Sequence, residues 1–393
     1  MGPIMSQPVI IEAVRSAFGK RGGVFAQLRP DALLARVLTG LLSRSGGDPA
    51  MIDDIIIGCV SQAGEQGGNI ARLSSLLAGF PVHVAGVTLN RMCSSGQTAV
   101  HFAAQGVAAG DASYIIGGGV ESMSRVPMFL DVTLGPAFVD WSGLNPELLE
   151  QFDLPHQGVS AEHLARHWGM SRADLDAYAM ESHKRASAAM LANRHTEILP
   201  VHITSSDGHE AHIIQDEGIR HELDPHKVAA LRPLFDPENG IITAANASQM
   251  TDGAAAVLVG DEHKALSDGL RPKARFLARV TLGSDPTMQL DGIFAATREA
   301  MRRSGLSMQD FDWIEINEAF ASVPLAWSRE FAITPDRFNL WGGAIAHGHP
   351  LGATGAALIA KTLAALESIG GEIGLIVFCA GHGMSTATVI QRI

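Results

Sequence analysis

Residues 94–110, Ser-Ser-Gly-Gln-Thr-Ala-Val-His-Phe-Ala-Ala-Gln-Gly-Val-Ala-Ala-Gly, constrain the fold more than any other stretch. Written as a helix, the run has small or apolar residues around most of its circumference. A helix without a broad polar face is buried on all sides. The chain must supply one layer of structure above it and another below, and the small side chains let both come close. On its N-terminal side the sequence alternates. Apolar runs at 8–14, 55–60 and 82–89 read as strands, and patterns at 31–43 (capped by Asp31) and 69–78 read as helices; a further strand follows at 114–117. Strands apolar on both faces and alternating with helices define a layered α/β fold.

From 121 to 246 the character changes. Met, Pro, His and charged residues rise, strand signals fade, and residues 160–167 and 172–193 read as amphipathic surface helices. This is the pattern of an inserted loop domain. Alternation resumes at 254–259. A second α/β set then begins at 271, with strands at 271–279, 313–316 and 374–379 and helices at 292–303, 319–331 and 352–366. Each set carries a Gly/Ala-rich helix, then an apolar strand, then a glycine cluster: 117–119 in the first, Gly381-His382-Gly383 in the second. The echo points to an internal duplication. The expected organisation is a first half over 1–120 completed by 247–270, a loop domain over 121–246, and a second half over 271–393.

A formal charge of −12 over 393 residues counts against a general nucleic-acid binder. The cysteines, Cys59, Cys93 and Cys379, are too few and too scattered for a disulfide framework or a structural zinc site, so a reducing, cytoplasmic setting is expected. No run of about 18 apolar residues is present, and no membrane span is expected. Residues 1–6 fit the loose myristoylation pattern, but Pro3 makes an ordinary start the better reading.

Four residues stand where strands give way to turns. Cys93, in Asn90-Arg91-Met92-Cys93-Ser94-Ser95-Gly96-Gln97, sits between a strand and the small-residue helix. The helix N-terminus favours a thiolate there, the nucleophilic form; a small buried hydrophobe is the alternative. Asn317 follows a buried strand and reads either as a site residue or as a helix cap. His347 and His349 lie in a glycine-rich segment, 342–355, that opens a helix. With no acidic or third ligand nearby, this pair does not make a metal site. The histidine-rich stretch 202–212 reads as a solvated hairpin, because its setting is polar and turn-rich and its ligand spacing is poor. Cys379 ends a buried strand, before Gly381-His382-Gly383.

Together, Cys93, Asn317, His349 and Cys379 with their glycine settings resemble the thiolase family. The likeness runs nearly end to end, through Glu121-Ser122-Met123-Ser124-Arg125, Asn246-Ala247-Ser248-Gln249 and Asp252-Gly253-Ala254-Ala255-Ala256. It is closest to degradative bacterial 3-ketoacyl-CoA thiolases, including those acting on bulky or steroid side-chain substrates. The resemblance implies a five-layer α-β-α-β-α core of two similar halves and a loop domain that holds coenzyme A. It implies that Cys93 carries the acyl group, that His349 activates Cys93, and that Cys379 moves a proton at the α-carbon. Asn317 would hold a water in one oxyanion hole, and the N–H groups of Cys93 and Gly381 would form another. Arg220, Ser248, Ala244 and Phe320 match coenzyme A contacts, and Lys227 stands where biosynthetic members often place serine.

The implied reaction is thiolytic cleavage of 3-ketoacyl-CoA to acetyl-CoA or propionyl-CoA and a shortened acyl-CoA. It needs no cofactor, because coenzyme A is a substrate. The same residues serve the condensation direction, as in a biosynthetic acetyl-CoA acetyltransferase. A non-catalytic acyl-CoA-binding subunit is the remaining reading, and the intact Cys93, His349 and Cys379 count against it. A homodimer or homotetramer is expected. Two residues depart from the family pattern: His347, where an apolar residue is usual, and His382, where glycine is usual.

Overall fold

The computed structural model describes residues 6–133, 144–204 and 208–393. The N-terminal residues 1–5, and with them the myristoylation pattern, lie outside the described residues, as do 205–207 in the histidine-rich stretch.

The first half contains strands β1 (Pro8–Ser16), β2 (Asp54–Gly58), β3 (Val87–Leu89), β4 (Tyr114–Ser122) and β5 (Thr251–Asp261). They lie in the order β3-β2-β4-β5-β1. The second half contains β6 (Ala274–Gly283), β7 (Trp313–Ile316), β8 (Ile373–Ala380) and β9 (Met384–Arg392), in the order β7-β8-β9-β6. β2 runs parallel to β4, which is antiparallel to β5, which is antiparallel to β1. β7, β8, β9 and β6 repeat those polarities in the same succession. Even an irregularity is shared. The register of β1 shifts between Ile10 and Glu12, and that of β6 between Phe276 and Ala278, two residues into each strand. The duplication that was faint in the sequence is plain in the topology. The two sheets meet where β1 pairs with β6, at Val9↔Arg275 and Ile10↔Ala274.

Helices α1 (Pro30–Ser45) and α2 (Ile70–Leu77) cover the outer face of the first sheet. Leu33, Leu34, Val37, Leu38, Leu41 and Leu42 of α1 are buried, as their helical spacing requires. Asp31 is not the cap. Arg29 holds that position and Pro30 opens the helix, so Asp31 lies in the first turn. Asn69 does cap α2, accepting the Arg72 N–H at 3.2 Å. Helices α3 (Ser95–Ala109) and α8 (Leu351–Ile369) form the middle layer. Every residue of α8 from Leu351 to Leu366 is buried, and α3 is buried on most of its faces. On the far side of the second sheet lie α6 (Gly292–Ser304) and α7 (Ser322–Glu330), backed by α4 (Gln157–His167) and α5 (Arg172–Leu191) from the inserted segment. The layers run α-β-α-β-α, five in all.

Two sequence readings change. The strand expected over 82–89 keeps only Val87–Leu89, because the chain turns at 82–83 after Pro81. The strand expected over 114–117 continues to Ser122, so the three glycines lie inside it. The reason is close packing: a Cβ on Gly119 would overlap the backbone of Gly352 in α8. Residues Val201–Thr204 and Glu210–Ile213 form an antiparallel hairpin. Among the described residues, no helix is long and apolar enough to cross a membrane.

Candidate active site

Cys93 occupies the turn from β3 into α3. Its own neighbours hold that turn: Met92 N–H donates to Asn90 Oδ1 (2.8 Å), Arg91 N–H to Ser95 Oγ (2.8 Å), and the Ser95 hydroxyl to the Met92 carbonyl (2.6 Å). Cys93 is buried against Val60, Met123, Leu351 and Ala380, with Met92, Met128 and Met384 packed around them. The expected thiolate is corrected here. Burial pushes the Cys93 thiol up to about 11, and the nearby Glu121 carboxylate adds to the rise. The backbone N–H groups of Gly381 and Cys93 and the Gln157 amide pull it back only in part. A helix terminus contributes about 0.3–1 kcal/mol, too little to outweigh loss of solvent. At rest the sulfur is a thiol.

Cys379 lies near the end of β8, fully buried. Burial holds its thiol far above the ordinary range, and negative charge on Cys93 raises it further, a coupling that makes the two sulfurs electrostatic neighbours. The turn that follows carries His382 and Gly383 at positive φ, 62° and 71°. Glycine adopts that backbone freely, which gives a physical reason for the usual residue at His382. The His382 N–H is tied to Gln289 Oε1 (2.9 Å), and the Gln289 amide donates to the Pro155 carbonyl (2.8 Å). The turn that carries Gly381 is thus anchored from outside its own hairpin.

His349 enters from the loop before α8, its N–H donating to the Gln249 carbonyl at 3.0 Å. Its Nδ1 lies 2.7 Å from Thr354 Oγ1, whose single proton goes to the Pro350 carbonyl at 2.9 Å. With that proton on the Pro350 carbonyl, the Thr354 hydroxyl accepts from the ring. In that arrangement the ring proton sits on Nδ1, and Nε2 presents a lone pair. Burial lowers the His349 pKa to about 4, so the ring is a neutral base at ordinary pH.

Asn317 Nδ2 is 3.4 Å from that Nε2, and its Oδ1 is buried without a partner among the described residues. Asn317 follows β7, and its N–H donates to the Val377 carbonyl of β8 (3.0 Å). It is not a helix cap, because α7 begins at Ser322 with Ala321 as its cap.

Two buried carboxylates that had no role in the sequence reading frame these groups. Glu318 accepts from Tyr178 (2.8 Å), Ser182 (2.7 Å), Asn339 (3.0 Å) and the Ile345 N–H (3.2 Å), fixing the loop before His349. Glu121 accepts from the N–H groups of Val60 (2.9 Å), Ser61 (3.0 Å) and Gly352 (2.9 Å), tying β2 to the start of α8. In sequence Glu121 stood out only within the Glu121–Arg125 motif, and Glu318 only as the neighbour of Asn317.

A cavity of about 740 Å³ opens beside Gln249 and Ile345, lined also by Arg220, Lys227, His183 and Ala244. Of the four expected coenzyme contacts, Arg220 and Ala244 line it. Ser248 and Phe320 do not; Ser248 N–H donates to the Ala319 carbonyl (2.9 Å), and Phe320 packs edge-on against Phe235. Among the described residues, no group of three or more His, Cys, Asp or Glu side chains is arranged to hold a metal.

A layered α/β core that buries two neighbouring cysteines, with a neutral histidine beside Asn317, is that of an acyl-transfer enzyme of the thiolase type. The chain belongs to the thiolase family: residues 8–263 match the thiolase N-terminal domain and 270–392 the thiolase C-terminal domain. It is 43% identical to the steroid 3-ketoacyl-CoA thiolase FadA6 of Mycobacterium tuberculosis, covering 100% of this chain and 96% of that protein. It is 38% identical to the 3-oxoadipyl-CoA/3-oxo-5,6-dehydrosuberyl-CoA thiolase of Escherichia coli, over 99% of this chain and 100% of that one. The crystal structure of the Bacillus anthracis acetyl-CoA acetyltransferase is similar at a TM-score of 0.90 and 32% identity, over 99% of both chains.

Proposed function

We propose that the protein cleaves 3-ketoacyl-CoA with coenzyme A, releasing acetyl-CoA or propionyl-CoA and a shortened acyl-CoA. The observation that carries the reading is the setting of His349, a neutral base whose Nδ1 rests on Thr354 Oγ1 and whose Nε2 faces the Asn317 amide. In the first step Nε2 takes the Cys93 proton and the thiolate adds to the 3-keto carbon. The C2–C3 bond then breaks, leaving a thioester on Cys93. The departing enolate takes a proton at its α-carbon from Cys379. In the second step Cys379 takes the proton of incoming coenzyme A, whose sulfur attacks the thioester and frees Cys93. Oxygens that gain charge face donors in both steps: His349, once protonated, with a water on Asn317, and the N–H groups of Cys93 and Gly381. Condensation is the same path reversed.

Coenzyme A fits the cavity beside Gln249, with Arg220 and Lys227 as cations for its phosphates and Ala244 in the wall; Ser248 and Phe320 act from behind that wall. The methionines around Cys93 make an adaptable apolar surface for the acyl group. The half boundaries stand at 120, 246 and 270. A homo-oligomer, dimer or tetramer, follows from the exposed apolar side chains Leu73, Leu76, Leu77, Val82, Val87 and Phe102 beside the edge strand β3. Three free cysteines suit a reducing cytoplasm.

Acyl-CoA incubation followed by peptide mass spectrometry tests the chemistry, with acylation expected on Cys93. Label on Cys379, or none, would overturn it. Thiolysis rates with short, long and ring-bearing 3-ketoacyl-CoA define the acyl group. A monomer by light scattering at micromolar concentration counts against the oligomer.

A further inference from the structure

Next to the catalytic loop lies a set of buried charges that no step above uses. The Arg15 guanidinium grips Asp216 with two hydrogen bonds (2.6 and 3.0 Å) and donates a third to Glu197 (3.0 Å). Asp216 also accepts the Phe18 N–H at 2.8 Å, and His195 Nδ1 lies 2.9 Å from Glu197. His347 completes the set. Its Nδ1 is 2.7 Å from Asp216 Oδ2, its Nε2 is 2.8 Å from the Trp341 carbonyl, and its ring stands edge-on to His195.

A carbonyl oxygen can only accept. Asp216, held by a guanidinium and a backbone N–H, is a carboxylate and also only accepts. His347 therefore donates from both nitrogens, which only the imidazolium can do. Burial lowers the His347 pKa to about 4 even with Asp216 beside it; the acceptors at 2.7 and 2.8 Å on its two nitrogens argue the other way, and the protonated ring is inferred from that geometry. Arg15 and His347 then set two positive charges against the carboxylates of Asp216 and Glu197. Lys361 and His183 also face it, but Lys361 is paired with Glu315 at 3.1 Å and burial holds His183 neutral. An apolar residue at 347 would leave two carboxylates to one guanidinium.

The cluster sits at a joint. His347 is two residues before His349, and Asp216 is four before Arg220 of the coenzyme-side cavity. Gln249 Nε2 makes a second stitch between the same two segments, reaching the Gly218 carbonyl (3.0 Å) and the Ile345 carbonyl (2.9 Å). We propose that His347 is a positioning residue: its doubly donating contact with Asp216 and Trp341 holds segment 216–220 against the His349 loop, so that the catalytic base and the coenzyme wall keep one fixed spacing. The inference rests on the thiolase reading.

The test compares wild type with His347→Leu, His347→Gln, Asp216→Asn and the His347→Leu/Asp216→Asn pair. Thiolysis of acetoacetyl-CoA is measured against coenzyme A concentration, with iodoacetamide titration of Cys93 counting intact sites. In folded His347→Leu the KM for coenzyme A should rise about tenfold or more, the scale of one lost charge-assisted hydrogen bond, with a smaller change in kcat per intact site. Asp216→Asn should match it, and the pair should be no worse than the worse single variant. Fewer intact sites with unchanged KM at those that remain would make His347 merely structural and overturn the proposal. If His347→Leu does not fold, His347→Gln carries the same comparison. Nitrogen-15 spectra of histidine-labelled wild type give a second reading. They should contain one ring protonated on both nitrogens at pH 7.5; neutral patterns for all sixteen histidines would also overturn it. Absence of thiolysis in wild type would refute the enzymatic reading and leave the spectral test standing.

Discussion

Thr354→Val isolates the one contact that sets the His349 tautomer. The substitution keeps the shape and removes the hydroxyl that accepts from Nδ1 at 2.7 Å. The Pro350 carbonyl keeps the helical N–H of residue 354 at 3.0 Å, so the loss falls on the histidine. A buried donor without an acceptor costs about 1–3 kcal/mol. The ring can escape that cost by moving its proton to Nε2, but it then has no lone pair facing the thiol. By either route the reactive tautomer is disfavoured by the same amount, and about 1.4 kcal/mol is tenfold in rate, so Cys93 acylation should slow roughly 5- to 150-fold. Stopped-flow acylation with acetoacetyl-CoA measures it directly, and circular dichroism checks folding. Thr354→Ser keeps the hydroxyl and should retain most of the rate. A folded Thr354→Val within twofold of wild type, or a Thr354→Ser equally impaired, would refute the tautomer argument.

With the Cys93 pKa at about 11 and that of His349 at about 4, the resting pair is neutral between those values. Iodoacetamide alkylation of Cys93 should therefore climb steadily from pH 6 to 9 as the thiolate fraction grows; a plateau reached by pH 5 would reveal a preformed ion pair instead. Cys379→Ser should spare acyl transfer to Cys93 from a simple thioester while carbon–carbon cleavage falls by about 10²–10⁴; near-normal thiolysis and α-proton exchange in the folded variant would reduce Cys379 to a packing residue. Lys361→Met leaves Glu315 buried without its cation and should cost about 3–5 kcal/mol in urea titration, with much of it recovered by adding Glu315→Gln. A loss below about 1 kcal/mol would show that the pair is not needed.

The layers were legible because their signal is compositional: a helix such as α3, with small or apolar residues on most faces, has only one kind of place to go. Cys93, Asn317, His349 and Cys379 were legible as residues at strand ends and loop glycines. Their chemical states were not. The Cys93 thiol is set by Val60, Met123, Leu351 and Ala380, which come from four separate segments. The His349 tautomer depends on Thr354, a residue that looks in sequence like any other in the first turn of a helix. His347 could be seen to depart from the family, but its partners Asp216, Arg15 and Glu197 lie 131 or more positions away. Gly119 shows the opposite failure. It reads as a loop and is a strand, because the reason for glycine is the backbone of Gly352, far along the chain.

Helix α8 belongs by sequence to the second half, yet it packs against β1, β4 and β5 of the first as well as β7 and β8 of its own. Neither half closes its own hydrophobic core. The direct sheet seam, two residue pairs wide, contributes little beside this shared layer. The molecule should therefore melt in one transition despite its two repeats, and a chain cut near residue 268 should yield fragments that fold only in each other's presence. A single half standing alone would expose an entire apolar helix face, so it would need a second copy to cover it.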